Sequence, residues 1–219
     1  MDDLLLHTSW LGESAILCQT DAKVLETSIQ HRFWALRDLL EGCDFVTETV
    51  PGMNNILVLI DPEAVEGSGA VTQIQTLWCR TSAADIPSRV VEIPVSYGGE
   101  AGVDLPEVAR ACNLTPEAYI SLHSAGTYTV FALGSQPGFG YLAGLDPRLA
   151  VPRRAVPRPR LEAGAVVIGG AQAGVISRSS PSGWHVIGKT DIAFFDPDRN
   201  PPALLSPGDT VRFVPKKAL

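Results

Sequence analysis

The sequence contains no apolar run approaching the roughly 20 residues a membrane-spanning helix requires. Its opening residues, MDDLLLHTSW, carry two carboxylates and a short leucine run, and lack the basic segment and longer apolar core of a secretory leader. A soluble, cytoplasmic protein is therefore expected. Basic charge is scarce: 17 Lys and Arg stand against 24 Asp and Glu, a net charge of -7. Nucleic-acid affinity rests mainly on cationic side chains, so nucleic acid is not an expected partner. Cysteine is sparse too. Cys18, Cys43, Cys79 and Cys112 are far apart, match neither a zinc knuckle nor a CxxC pair, and read as free thiols. His7, His31 and His185 show no metal-ligand spacing, so no metal site is expected.

What is present suits a folded chain. Hydrophobic residues make up 45% of 219 positions, enough for one large or two small cores. SAILCQ (14–19) reads as a strand, and Asp21 is placed to cap a helix on which Leu25, Ile29, Phe33, Leu36 and Leu40 share one face. FVTETV (45–50) and NILVLID (55–61) read as strands around a Pro51-Gly52 turn. Val71, Ile74, Leu77 and Trp78 mark a second helix, and VVEIPV (90–95) a further strand. Strand, helix, two strands, helix and strand is the order of a ferredoxin-like α+β domain, here residues 1–88.

Residues 89–219 read differently. Asp104 is placed to cap a short helix over 105–111, and Thr115-Pro116-Glu117 opens another that ends near His123. Beyond Gly126 come short β-type runs at 127–134, 165–170, 173–177, 184–190, 192–196 and 210–215, separated by Gly, Pro, Ser and Asp. Such a series suggests a closed barrel or a sandwich.

QPGFGYLAGLDPRLAVPRRAVPRPR (136–160) is the most unusual stretch. Its glycines and prolines keep it from being a helix and predict a shaped loop. Five of the chain's 17 basic groups, Arg148, Arg153, Arg154, Arg158 and Arg160, gather there. Arginine forks bind carboxylate and phosphate bidentately, so the segment reads either as an anion site or as a solvated, partner-facing loop. GFGYLAG lacks the GxGxxG spacing of a dinucleotide fold. GWHVIGKT (183–190) has the letters of a phosphate-binding P-loop, but a β-type run fills its interior and IAFFD (192–196), read as a strand, follows where a helix should. There is no GxSxG elbow. His123 stands out among the histidines because it ends a helix just before the barrel. No complete set of nucleophile, base and orienting group is visible.

The order LHSAGTYTVFALGSQPGFGYLAGLDPRLAVPRRAVPRPRLEAGAVVIGGAQAGVISRSSPSGWHVIGKTDIAFFDP, then PALLSPGDTVRFVP, resembles the family that holds the B component of 5-oxoprolinase, allophanate hydrolase subunit 1 and a sporulation kinase inhibitor. The resemblance spans Val90 to Pro215 and extends more weakly through GESAIL (12–17) and VPGMNNILVLIDP. It implies a ferredoxin-like domain followed by a mainly-β, cyclophilin-like barrel. It also implies pairing with a larger subunit of related barrel fold, of the type of the 5-oxoprolinase C component or allophanate hydrolase subunit 2, and with the A component. The implied activity is ATP-driven opening of a small cyclic amide, 5-oxo-L-proline to L-glutamate, by a chain inactive alone, with ATP as co-substrate and no tightly bound cofactor. An allophanate hydrolase role, inhibition of a sensor histidine kinase, and a structural role beside a catalytic partner are the alternatives.

On that resemblance His123 is expected to handle protons or orient substrate, Arg154 to bind anions in catalysis, and Gln172 to hydrogen-bond the substrate. Arg153, Arg158 and Lys189 are expected to bind anions, while Gly138, Phe139 and Tyr141 shape the pocket. Relatives commonly show PGFPYLGG, SPGGW and GRT where this chain has PGFGYLAG, SPSGW and GKT, so Gly140 should loosen its loop and Lys189 gives up a bidentate fork.

Overall fold

A computed structural model describes residues 4–83 and 88–216, which form two compact units. In the first, β1 (His7–Trp10), β2 (Ala15–Gln19), β3 (Val46–Pro51) and β4 (Asn55–Ile60) build an antiparallel sheet in the order β1-β2-β4-β3. Helices α1 (Thr27–Leu40) and α2 (Gly67–Trp78) supply the rest of its core. Alternation along β4 explains the packing: Ile56, Val58 and Ile60 are buried, as are Ile29, Phe33, Leu36 and Leu40 from α1.

Two local expectations change in this unit. Helix α1 begins at Thr27, so Leu25 lies outside it, 39% exposed, and Asp21 pairs with His7 instead of capping. The helix start is held by Asn54, whose Oδ1 accepts from the Glu26 N–H at 2.7 Å. The sheet has the ferredoxin-like strand order, but β1 fills the edge expected for VVEIPV. That strand forms, as β5 (Val90–Tyr97), in the second unit.

There β5, β6 (Tyr128–Leu133), β7 (Gly140–Ala143), β9 (Ala165–Gly169), β10 (Gln172–Val175), β12 (His185–Lys189) and β13 (Thr210–Pro215) close a seven-stranded barrel in the order β10-β7-β6-β13-β5-β12-β9. All neighbours are antiparallel except β5 and β13. Helices α3 (Leu105–Ala111) and α4 (Pro116–Ala125) add Leu105, Val108, Ala109 and Tyr119 to the barrel core. Thr115 caps α4, its side chain accepting from the Ala118 N–H.

β8 (Arg158–Leu161) and β11 (Ser180–Ser182) stand apart as a two-stranded ribbon. Leu161 of the ribbon joins a second apolar cluster with Phe139, Val167, Ile176, Trp184 and Val186. On β9, Val166 and Ile168 point into the barrel, and Ala165 and Val167 face this outer cluster. Strand β9 is thus buried on both faces, which accounts for its unbroken apolar run.

The segment 136–160, expected to be loop throughout, contains β7, a short 3-10 turn over Pro147–Leu149 and the start of β8. IAFFD is not a strand. Phe195 makes a single bridge to Ala203, and Phe194, 2% exposed, plugs the barrel core. GWHVIGKT lies on β12, with no helix after it among the described residues.

Candidate functional site

Asp104 organises the arginine segment. Its carboxylate is buried, accepts from Arg158 Nη1 and Nη2 at 2.6 Å each, from Arg154 Nη1 at 3.3 Å and from the Val186 N–H at 2.7 Å. The Asp104 N–H in turn donates to the Val186 carbonyl. Burial alone would push this carboxyl up, but the Arg158 hydrogen bonds, the Val186 N–H and the charges of both arginines outweigh it and hold Asp104 below its ordinary value. Asp104 makes no side-chain cap on α3, contrary to expectation, because its oxygens are spent on these longer-range partners.

This clamp fixes the chain from Pro152 to Arg158 beside β12, helped by the Arg154 N–H bond to Gly183 O at 2.7 Å. Arg153, next in line, is left outside the clamp. It forms no ion pair among the described residues, and its guanidinium lies 5.4 Å from the Trp184 ring centre.

Arg153 forms one wall of a polar pocket of about 200 Å³, with Gln136, Tyr141, Ser180, Ser182 and Trp184. Phe139 forms the floor, edge-on to Tyr141 and Trp184. Gly138, the residue before Phe139, has φ +75° and a close backbone approach: a Cβ there would sit 2.7 Å from the Phe194 carbonyl oxygen. Gln136 donates through Nε2 to Ser180 Oγ at 3.2 Å, while its Oε1 is buried with no partner among the described residues. An unpaired acceptor and an unpaired guanidinium therefore meet in one amino-acid-sized space. Such a set suits a small ligand with a carboxylate and an N–H donor.

Of the sequence-derived residues, Phe139, Tyr141 and Arg153 come together here, while Gly138 lies outside the lining, against Phe194 and Phe195. Arg154 and Arg158 turn toward Asp104. Gln172 lies on the same face of β10 as Gly174, which packs against Phe139, but outside the pocket lining. Lys189 is exposed at the far end of β12 and adds its charge to Arg160 beside Glu162 and to Lys216 beside Asp191.

His123 is in the core. It is fully buried, its Nδ1 is 2.7 Å from Tyr97 Oη, its ring centre is 4.6 Å from that of Phe213, and Nε2 has no partner among the described residues. Burial pushes its pKa down to about 3, so it is neutral at physiological pH. As placed, it anchors α4 on β13 and does not reach the polar pocket. Ser180 and Ser182 do not stand out from sequence; Gln136, at the head of the unusual segment, carries a signal.

Residues 6–205 match the family described as carboxyltransferase domain, subdomain C and D. The B component of 5-oxoprolinase from Escherichia coli O157:H7 is 45% identical over 208 residues, 94% of each chain. The crystal structure of TTHA0988 is similar with a TM-score of 0.77 and 34% identity; the match covers 94% of this chain but 40% of that one. The K. lactis urea amidolyase structure gives a TM-score of 0.82 at 19% identity, over 96% of this chain and 15% of that one, which supports the fold alone. No helix among the described residues is long and apolar enough to cross a membrane.

Proposed function

Since the chain belongs to the carboxyltransferase subdomain C and D family and, within it, to the family of 5-oxoprolinase B components, we propose that it is the substrate-holding subunit of a cytosolic, ATP-dependent 5-oxoprolinase. The observation that carries this reading is the pairing, in one small pocket, of the free Arg153 guanidinium with the unpartnered Gln136 Oε1. The carboxylate of 5-oxo-L-proline takes the Arg153 fork, and the ring N–H donates to Gln136 Oε1. The lactam oxygen accepts from the hydroxyl of Ser180 or Ser182, and the ring lies on Phe139.

The pocket offers no activated nucleophile, and a lactam is a poor electrophile, which is why the reaction needs ATP. Transfer of the γ-phosphoryl group to the lactam oxygen releases ADP and activates the ring carbon. Water adds there, the C–N bond opens to γ-glutamyl phosphate, and a second water releases phosphate and L-glutamate. This chain's part is to hold the carboxylate, orient the lactam and donate hydrogen bonds to its oxygen. The larger, barrel-fold C component and the A component complete the assembly.

The test is release of glutamate and ADP from 5-oxo-L-proline and ATP by this chain alone and with the A and C components added. Turnover in the full mixture alone is expected. An assembled complex that opens a different amide, or none, overturns the reading.

A further inference from the structure

A second cleft, about 470 Å³, opens between α3 and residues 151–156, on the other side of Arg153. Arg153 lines both spaces. Two of its lining residues, Arg154 and His185, also carry a buried polar atom without a partner among the described residues. Among the described residues Arg154 Nε is buried without a partner, and the one ion pair of Arg154 is the 3.3 Å contact with an Asp104 already bonded to Arg158 and Val186. His185, 8% exposed, also lines the cleft. Its Nε2 lies 3.0 Å from Pro152 O, which can only accept, so Nε2 carries the proton and Nδ1, buried and unpartnered, is left as an acceptor.

The charges around the clamp do not cancel. Asp104 and Glu107 stand against Arg154 and Arg158, so Arg153, outside the clamp, leaves one positive charge in excess, and Glu107 puts negative charge on the α3 side of the cleft. The remaining surface, from Ala111, Val151 and Val156, is apolar. A fitting ligand has an oxyanion for Arg153 and Arg154, a flat body for the apolar walls, and an N–H or O–H for His185. The volume is in the range for drug-sized ligands, more than twice that of the polar pocket.

We infer that the cleft lined by Arg153, Arg154, His185 and Ala111 is a binding site for a nucleoside phosphate, its phosphate end at Arg153 and its base toward α3. Insofar as this gives the ATP of the proposed reaction a place on this chain, it rests on that reading; the site's own chemistry does not. Because Arg153 faces both spaces, ligands in the two pockets share one guanidinium, and occupancy of one alters affinity for the other.

Calorimetry on the full chain tests this with ADP, inorganic phosphate and adenosine as separate probes, and with 5-oxo-L-proline. ADP is expected to bind more tightly than phosphate or adenosine. Ala111→Trp, an exposed position on α3, fills the cleft and should weaken ADP at least tenfold while leaving 5-oxo-L-proline binding unchanged. Arg154→Lys, which keeps the charge and removes Nε, should also weaken ADP if the first variant misfolds. Absence of ADP binding, or ADP binding unchanged in both variants, overturns the inference. If 5-oxo-L-proline binds and ADP does not, only the inference fails; if ADP binds in the cleft and 5-oxo-L-proline does not bind, only the functional reading fails.

Discussion

Asp104 and Arg158 meet fork to fork, each guanidinium arm 2.6 Å from a carboxylate oxygen, with the carboxylate side chain 4% exposed and the arginine 27%. Asp104→Ala would strand two guanidinium groups and the Val186 N–H. Breaking a buried pair from one side costs about 3–5 kcal/mol, with the partly exposed arginines pulling toward the lower figure. Urea unfolding of the variant should show a midpoint lowered accordingly at unchanged slope, and an unchanged midpoint would refute the clamp. Asp104→Asn, which keeps an acceptor for Val186, should lose less.

Two of the shifted groups in the barrel unit, His123 and Asp104, separate by pH. His123 has its folded pKa pushed down by burial to about 3, against an ordinary value of 6.5. Between those values the unfolded chain takes up a proton that the folded chain refuses, so His123 contributes stability above about pH 6.5 that falls away toward pH 3, by roughly 1.4 kcal/mol per pH unit. Asp104, also lowered, loses its contribution only below its ordinary carboxylate range, as the folded group protonates. In His123→Gln the slope of stability against pH between about 6 and 4 should shrink, with the loss below pH 4 retained. Thermal unfolding across that range reads both limbs.

These two residues also mark where sequence reading stops. The face of α1 is legible because Ile29, Phe33, Leu36 and Leu40 repeat within one helix, and most barrel strands because their apolar runs are bounded by turn residues. β1 escapes notice because HTSW is a polar edge strand. IAFFD misleads because its phenylalanines are buried without a ladder. Asp104 looks like a helix cap locally, while its partners Arg158 and Val186 lie far along the chain. His123 looks available because sequence shows helix position and not what packs over it, here Tyr97, Tyr128 and Phe213. The small polar wall of the pocket, Ser180 and Ser182, has the composition of any loop.

Arg153 and Arg154 are neighbours with different expected failures. Arg153 is exposed and outside the clamp, so Arg153→Ala should leave the unfolding midpoint unchanged. In the reconstituted complex it should raise KM for 5-oxo-L-proline about tenfold to a hundredfold, in line with losing a charged hydrogen bond worth roughly 1.5–3 kcal/mol. Arg154→Ala should lower the midpoint as well as activity, because its side chain is packed against Asp104. Equal stability losses in the two variants would contradict this division.

The clamp depends on a close approach of backbones that only glycine allows. Gly102 donates its N–H to Gly98 O, and the turn it belongs to brings the Gly98 N–H to Ile187 O and the Asp104 N–H to Val186 O. A Cβ on Gly102 would clash with the Ile187 carbonyl oxygen, a main-chain atom of β12 that cannot swing aside. Gly102→Ala must push the turn off the strand, at a cost of roughly 1–3 kcal/mol for overpacking, and the displacement carries Asp104 with it. Gly99→Ala, with nothing within 4 Å of its Cβ but φ +54°, should lose only the smaller cost of a left-handed conformation, about 1 kcal/mol. Hydrogen exchange at the Val186 amide separates the two: faster exchange is expected in Gly102→Ala and near-native protection in Gly99→Ala. Equal protection in both would mean that the turn tolerates the added methyl and that Asp104 is held by its arginines alone.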